Sequence, residues 1–187
     1  MANANNPSGF KPLRHMGGGV IRSQAFNINT SGTTGFNDSI ATGDLVKLNA
    51  DGTIEAGANG DGVALGVFDG CNYTASDGSK VFARRWPAST AVLSGSAITA
   101  YVYCDPMITY EVMTNTCAAT DVGAVSDVVV GTSSSVTGQS ASYVDVADVT
   151  NGVARIIGII DRPDNAVGAY CRVEVLLNSQ LNVTTSI

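Results

Sequence analysis

Short apolar runs alternate with turn-forming residues along most of the chain. After residue 19 the runs span 20–28, 44–48, 63–68, 80–86, 98–103, 108–113, 125–130, 143–149, 155–160 and 171–177. Between them lie clusters of Gly, Asn, Asp and Ser, which favour turns. Short runs with this spacing are typical of an all-β sandwich or barrel.

Local patterns support this assignment. Alternate positions from Cys171 to Leu177 are apolar, which is the pattern of a strand with one buried face and one face in water. Gly52, in "DGT" between two runs, can adopt the positive φ angle that a hairpin turn requires. "ALGVFD" (64–69) and "IIGIID" (156–161) share one order of residue types. Gly66 and Gly158 are therefore candidates for a strand bend or a close backbone approach.

The first nineteen residues differ from the rest. They are polar, rich in Gly and interrupted by Pro7 and Pro12, which is the composition of an extended segment without a core of its own. We therefore divide the chain into an extended N-terminal arm (1–19) and a β domain (20–187).

Composition and charge restrict the possible partners. Hydrophobic residues make up 44% of the 187 residues and charged residues 14%, so the chain is apolar enough to fold around a core. The net charge of -6 argues against a nucleic-acid surface, which needs clustered Lys and Arg. No apolar run has the length of a signal peptide or of a membrane-spanning helix, so we expect a cytosol-like compartment and no membrane partner.

The residues that usually perform catalysis are few and scattered. His15 is the only histidine, and we expect no scaffold around it that could orient it as a general base. Ser140 in "GQSAS" lacks the closing glycine of a nucleophile elbow. The aspartates between residues 44 and 77 are spaced like turn residues rather than paired acids. We expect no catalytic, cofactor-binding or metal-binding residues, and reduced, partly buried thiols at the four cysteines, Cys71, Cys104, Cys117 and Cys171.

One polar and aromatic cluster, "ARRWPA" at 83–88, is a possible interface. Trp and Arg are enriched at the energetic centres of protein interfaces, which favours a binding role for Arg84, Arg85 and Trp86. The alternative is that Trp86 covers the end of a barrel while the two arginines lie in solvent. The sequence does not distinguish between the two.

The segment "ATGDLVKLNADGTIEAGANGDGVALGVFDG" (41–70) resembles the core of the lambda-type head decoration proteins of tailed bacteriophages, which have a β-tulip fold. The matching parts are Gly43-Asp44, Asp51-Gly52 and Leu65-Gly66-Val67. "NPSGFKPLRHMGGG" (6–19) and two longer stretches, 122–146 and 156–178, are similar to proteins encoded beside the capsid genes of short-tailed phages.

The resemblance implies a structural cement protein of the virion. Such a protein is made in the host bacterial cytoplasm and binds the major capsid protein on the outer surface of the expanded shell. It does so as a homotrimer at three-fold and quasi-three-fold positions. Because this chain is longer than the smallest members, residues 88–150 are candidates for an additional outward β lobe, or for completing a jelly-roll-like sandwich around the β-tulip or small-barrel core.

The resemblance also implies a role for the arm. We expect it to be disordered in the free protein and to add to the edge of a neighbouring capsid sheet. The anchors would be Phe10, Lys11, Pro12, Leu13 and Arg14. Gly17, Gly18 and Gly19 would form the hinge.

Two other function classes stay open. The first is a head fibre or spike module that binds host-surface carbohydrate through exposed aromatic side chains, for which the candidates are Tyr73, Tyr101, Tyr103 and Trp86. The second is a small hydrolase that uses Ser140, which the position of the lone His15 disfavours.

Overall fold

The computed structural model describes residues 3–30 and 36–181 of the chain. In these ranges the protein is all-β, with a closed five-stranded barrel and additional sheets. A single short 3-10 turn, Ala119–Asp121, is the helical element of the described residues. The strands are β1 (Lys11–His15), β2 (Gln24–Ile28), β3 (Ile40–Ala41), β4 (Leu45–Leu48), β5 (Thr53–Ala56), β6 (Gly66–Thr74), β7 (Lys80–Ala83), β8 (Arg85–Trp86), β9 (Ile98–Tyr103), β10 (Ile108–Met113), β11 (Thr116–Cys117), β12 (Val125–Val129), β13 (Tyr143–Asp145), β14 (Ala154–Ile159), β15 (Gly168–Ala169) and β16 (Arg172–Leu177).

The first half of the chain forms the barrel. Its strands follow the order β4-β5-β2-β9-β6, and β6 pairs back with β4 to close it. The turn between β4 and β5 has the predicted form, because Gly52 has a φ of 80° and Asp51 accepts a hydrogen bond from the Thr53 amide. The barrel encloses one apolar core, in which Phe68, Ile98 and Trp86 are fully buried.

The second half of the chain, together with β1 from its start, forms a six-stranded antiparallel sheet in the order β1-β10-β16-β14-β12-β13. A parallel bridge between Thr114 and Val144 brings β13 back to the end of β10, so the sheet curls. Its core is separate from that of the barrel but includes Leu45 and Val67, which come from barrel strands. The sheet therefore packs against the outside of the barrel.

The strand predictions agree well with this structure. Each predicted run overlaps an observed strand, although β6 continues to Thr74, beyond the run predicted over 63–68. β16 has the predicted alternation of buried and partly exposed residues. Gly66 is a close approach, since a Cβ there would collide with the carbonyl oxygen of Tyr103. Gly158 lies at an irregularity in the pairing of β14 with β16.

The N-terminal segment is the main correction. We expected residues 1–19 to have no partner within the chain, but β1 pairs with β10, and Lys11 faces Glu111 across the pair. Residues 88–150 are shared between the two units, because β9 belongs to the barrel while β10, β12 and β13 belong to the six-stranded sheet. A separate lobe over 88–150 does not match this division.

Across residues 3–30 and 36–181, no helix has both the length and the apolar content that crossing a membrane requires.

Candidate functional site

The predicted capsid-binding residues, 10–14, lie at one edge of the six-stranded sheet. Phe10 is fully buried, and its ring meets that of Tyr110 edge-on with the centroids 6.1 Å apart. Phe10 is therefore a core residue and not a free anchor. Arg14 donates to Glu174, with 2.6 Å between Nε and Oε1. Lys11, Pro12 and Leu13 complete the strand, and Leu13 is the exposed apolar residue of the set.

The predicted hinge, 17–19, is a fixed turn around His15. The backbone amides of Gly17 and Gly19 donate to Nδ1 of His15 at 3.1 and 3.0 Å. Nε2 of the same ring lies 3.2 Å from Oδ2 of Asp105. A Cβ at Gly19 would lie 3.0 Å from the His15 ring, and one at Gly17 3.2 Å from it, so these two glycines allow close packing on the ring. Gly18 has a positive φ of 74°, which suits glycine.

This turn holds the two chain crossings between the units together. Residues 16–23 lead from β1 to the barrel, and residues 104–107 lead from the barrel to β10. His15 ends β1 directly before the first crossing, and Asp105 lies in the second. The Met16 amide donates to the Met107 carbonyl oxygen at 2.9 Å. His15 therefore contributes to the structure of this junction, and its bonds to Gly17, Gly19 and Asp105 do not involve Ser140.

The Arg84-Arg85-Trp86 cluster divides between surface and core. Trp86 is fully buried in the barrel core, with its ring 5.2 Å from that of Tyr73. Arg85 donates from Nε to the Ser39 hydroxyl at 2.8 Å. Arg84 is exposed. The structure thus supports the alternative interpretation for Trp86, which packs inside the barrel, while Arg84 stays available to a partner.

The most exposed large apolar side chains lie close to Arg84 in sequence or in space. Phe82, on β7, is 79% exposed, and Val136 is 93% exposed. Residues 135–138 line a shallow groove together with 83–85, because Gly138 packs on the side-chain stems of Arg84 and Arg85. We call Lys80, Phe82, Arg84 and Val136 the β7 surface.

β7 is also a terminal strand in the part of the chain that the structure describes. It pairs with β6 on one side, in a continuous register from Cys71 opposite Ala83 to Thr74 opposite Lys80. In the described part of the chain, no strand pairs with the other edge of β7. The sequence analysis missed Phe82, although its position in a run of apolar residues directly before two arginines was visible.

The candidate nucleophile, Ser140, lies in a buried junction. Its hydroxyl accepts from the Ser142 amide at 2.9 Å, and the Ser142 hydroxyl donates to Asp44 at 3.1 Å. Burial raises the pKa of Asp44, although hydrogen bonds from Ser140, from the Ala41 amide and from Ser142 act in the opposite direction. The hydrogen bonds among Asp44, Ser140 and Ser142 join the loop that ends at Ser142 to the barrel. These polar side chains are buried because they lie where the loop and the barrel meet.

Two further aspartates stabilise turns, and the cysteines are buried. Asp51 and Asp77 each accept from the amide two residues later, as predicted for turn residues. All four cysteines are buried, and burial raises the pKa of Cys71 to about 12. Within the described ranges, no three His, Cys, Asp or Glu side chains come together in a way that could hold a metal ion.

The aromatic residues proposed for carbohydrate binding do not form an exposed platform. Tyr73 and Trp86 are buried, and the Tyr101 hydroxyl accepts from the Asn72 side chain at 2.6 Å. Tyr103 packs partly buried against the core of the second sheet.

The chain was compared with protein-family models, with curated proteins and with solved structures, and none of them matches it.

Proposed function

We propose that the protein is a structural decoration protein that binds the outer surface of a phage capsid. In this proposal it acts as a homotrimer, stabilises the expanded shell and contacts the major capsid protein through the β7 surface. The observation that carries the contact is a terminal strand with continuous pairing whose Phe82 side chain is 79% exposed. Exposed aromatic side chains on open strands are costly in solution, so they favour a partner.

The geometry of β7 suits the addition of a strand. A terminal strand presents a row of backbone amides and carbonyls to a partner, and exposed side chains at alternate positions supply the specificity. β7 is four residues long, contains no proline and has no irregularity in its pairing with β6. An extended segment of a capsid protein could therefore continue this sheet.

Charge makes a second copy of this chain a poor partner for β7. If two copies paired antiparallel about Phe82, Lys80 of each would lie opposite Arg84 of the other. Like charges directly opposite each other on neighbouring strands are destabilising. The arrangement favours a different chain, with neutral or acidic residues at those positions.

The trimer rests on the resemblance to the lambda-type decoration proteins. It is tested by light scattering of the free protein and by counting copies on the shell. A monomer in both states would contradict it.

The direct test of the function is co-sedimentation with empty, expanded shells of the phage's major capsid protein. We expect saturable binding that weakens with salt, because Lys80 and Arg84 flank the contact and salt screens exposed charges. Unexpanded shells are the matched control, since the proposal requires the expanded form. Failure to co-sediment with expanded shells would contradict the proposal. Binding to neutral glycans on an array, in the absence of shell binding, would favour a head fibre or spike module.

A further inference from the structure

A polar cleft of about 270 Å³ lies at the six-stranded sheet and shares no lining residue with the β7 surface. Residues 3–6 form one wall, and the loop from Arg162 to Arg172, which joins β14 to β16, forms the other. We propose that this cleft binds one carboxylate-bearing sugar residue, of the uronic or sialic acid type. This inference is independent of the proposed capsid contact.

Positive charge is concentrated at this cleft in an otherwise acidic chain. Arg162 pairs with Glu111, with 2.8 Å between Nη2 and Oε1, and Nη1 of Arg172 lies 4.0 Å from the same oxygen. Lys11 faces Glu111 across the β1–β10 pair. Both Nη atoms of Arg162 donate to Glu111, and the exposed Asp164, which lines the cleft, lies 3.8 Å from Nε of Arg162. The three cations therefore exceed these two carboxylates by one positive charge.

The excess positive charge also affects the pKa of Lys11. Burial, followed by the charge of Arg172, lowers the pKa of Lys11. An anion placed between Arg162 and Arg172 would relieve this repulsion. Guanidinium groups match the planar, two-oxygen geometry of a carboxylate, which makes a carboxylate the favoured anion.

The walls of the cleft are fixed in place. The side chain of Asn165 donates to the carbonyls of Ile160 and Arg172 at 2.7 and 2.8 Å and accepts from the Arg172 amide. Asn3 joins the opposite wall to the loop by donating to the carbonyls of Ala166 and Ala169. The Arg172 guanidinium donates to the Ser8 hydroxyl and to the Asn6 carbonyl. A site with such fixed walls loses little conformational entropy on binding.

Tyr170 distinguishes a sugar acid from a simple anion. It has a φ of 57°, and it is one of two non-glycine residues with a positive φ in the described chain. An aromatic residue is strained in this conformation, and such strain is concentrated at functional sites. The ring lines the cleft. An aromatic face can pack against the C–H groups of a sugar ring, whereas it offers nothing to a phosphate ion.

The test is to titrate the full chain with glucuronate and, separately, with N-acetylneuraminate, and to monitor the chemical shifts by NMR. Glucose lacks the carboxylate, and inorganic phosphate lacks the sugar ring. We expect at least one sugar acid to bind about tenfold or more tightly than either control, with shifts confined to the cleft. Absence of saturable binding by both acids, or equal binding of phosphate, would overturn the proposal.

Two glycine variants make the result specific. Tyr170→Gly removes the ring at a position whose backbone conformation suits glycine, so the fold should be retained while binding weakens about tenfold or more. Ser89 also has a positive φ, of 55°, but does not line the cleft. Ser89→Gly is therefore the control and should leave binding unchanged. Full binding by Tyr170→Gly would overturn the role of the ring. Neither variant should change co-sedimentation with shells, which separates this proposal from the capsid contact.

Discussion

β1 and β7 are both terminal strands, but they present different surfaces to a partner. β1 contains Pro12, has an irregularity in its register between Pro12 and Arg14, and carries Arg14 in an ion pair with Glu174. β7 has a continuous register and an exposed Phe82. Proline, bulges and charged side chains are the features by which proteins protect a sheet edge from pairing. By these criteria β1 is protected and β7 is open.

The comparison shows how one signal can have two meanings. In the sequence, Pro12 and the glycines at 17–19 favour an extended arm whose partner is a capsid sheet. In the structure the same proline lies in a strand at the protected edge of the chain's own sheet, and the glycines wrap around His15. An extended conformation was predicted correctly, whereas the partner of that conformation was not.

The largest expected effect concerns Phe10, the buried residue directly before β1. Phe10→Ala should lower the free energy of unfolding by about 3–5 kcal/mol, because it leaves a cavity beside Tyr110 in the second core. Chemical denaturation measures this value. Deleting residues 1–16 should destabilise the protein further, because it also removes β1 and its pairing with β10.

Leu13→Ser, three residues further along the same segment, is the control for Phe10→Ala. Its side chain is exposed, so the free energy of unfolding should change by less than about 0.5 kcal/mol. Similar stabilities of the Phe10→Ala variant and the native protein would show that β1 is not part of the folded core.

A smaller effect is expected at Asp44, where the segment before β1 and the loop that carries Val136 meet the barrel. The Phe10 amide donates to the Gly43 carbonyl, and Ser142 donates to Asp44. Burial raises the folded-state pKa of Asp44 above its ordinary value of 3.8. Its contribution to stability is therefore complete below pH 3.8 and is lost as the pH rises through the folded-state pKa.

Denaturation of the native protein and of Asp44→Asn across this pH range tests the junction. The stability of the native protein relative to the variant should fall as the pH rises. A difference that stays constant, or that grows with pH, would contradict the burial of this carboxyl group.

The smallest effect is expected at the ion pair on β1. Burial acts to raise the pKa of Glu174, but the bonds from Arg14 and Thr109 outweigh it, and the pKa lies below the ordinary 4.5. This contribution is present above pH 4.5 and is lost as the pH falls through the lowered pKa. Arg14→Gln should make the melting temperature slightly less sensitive to acid, with little change at neutral pH because exposed ion pairs are weak. A large loss at neutral pH would contradict this account of the edge.

Much of the fold could be predicted from the sequence, because strands of four to six residues leave a local apolar pattern. Pairing between distant residues leaves no such pattern, which is why β1 was missed: Lys11 faces Glu111. The two-residue strands β3, β11 and β15 are too short for any periodicity. The run predicted over 80–86 is divided at Arg84 because β7 pairs with β6 while β8 pairs with β3.

The candidate site was predicted only in part. The cluster at 84–86 was identified correctly as unusual, but its sequence does not show that Trp86 points into the barrel while Phe82 points out. Val81 and Phe82 are both apolar, so alternation does not determine which one faces solvent. The cleft between residues 3–6 and 162–172 combines segments from the two ends of the chain, and no local motif could have indicated it.

The most direct test of the central claim compares the two edges on the capsid. Phe82→Ser and Leu13→Ser each replace an exposed apolar side chain with a small polar one, on β7 and β1 respectively. In co-sedimentation with expanded shells, Phe82→Ser should bind at least about tenfold more weakly than the native protein, which corresponds to about 1.4 kcal/mol, while Leu13→Ser binds normally. Normal binding by Phe82→Ser together with loss of binding by Leu13→Ser would contradict the account and assign the contact to β1.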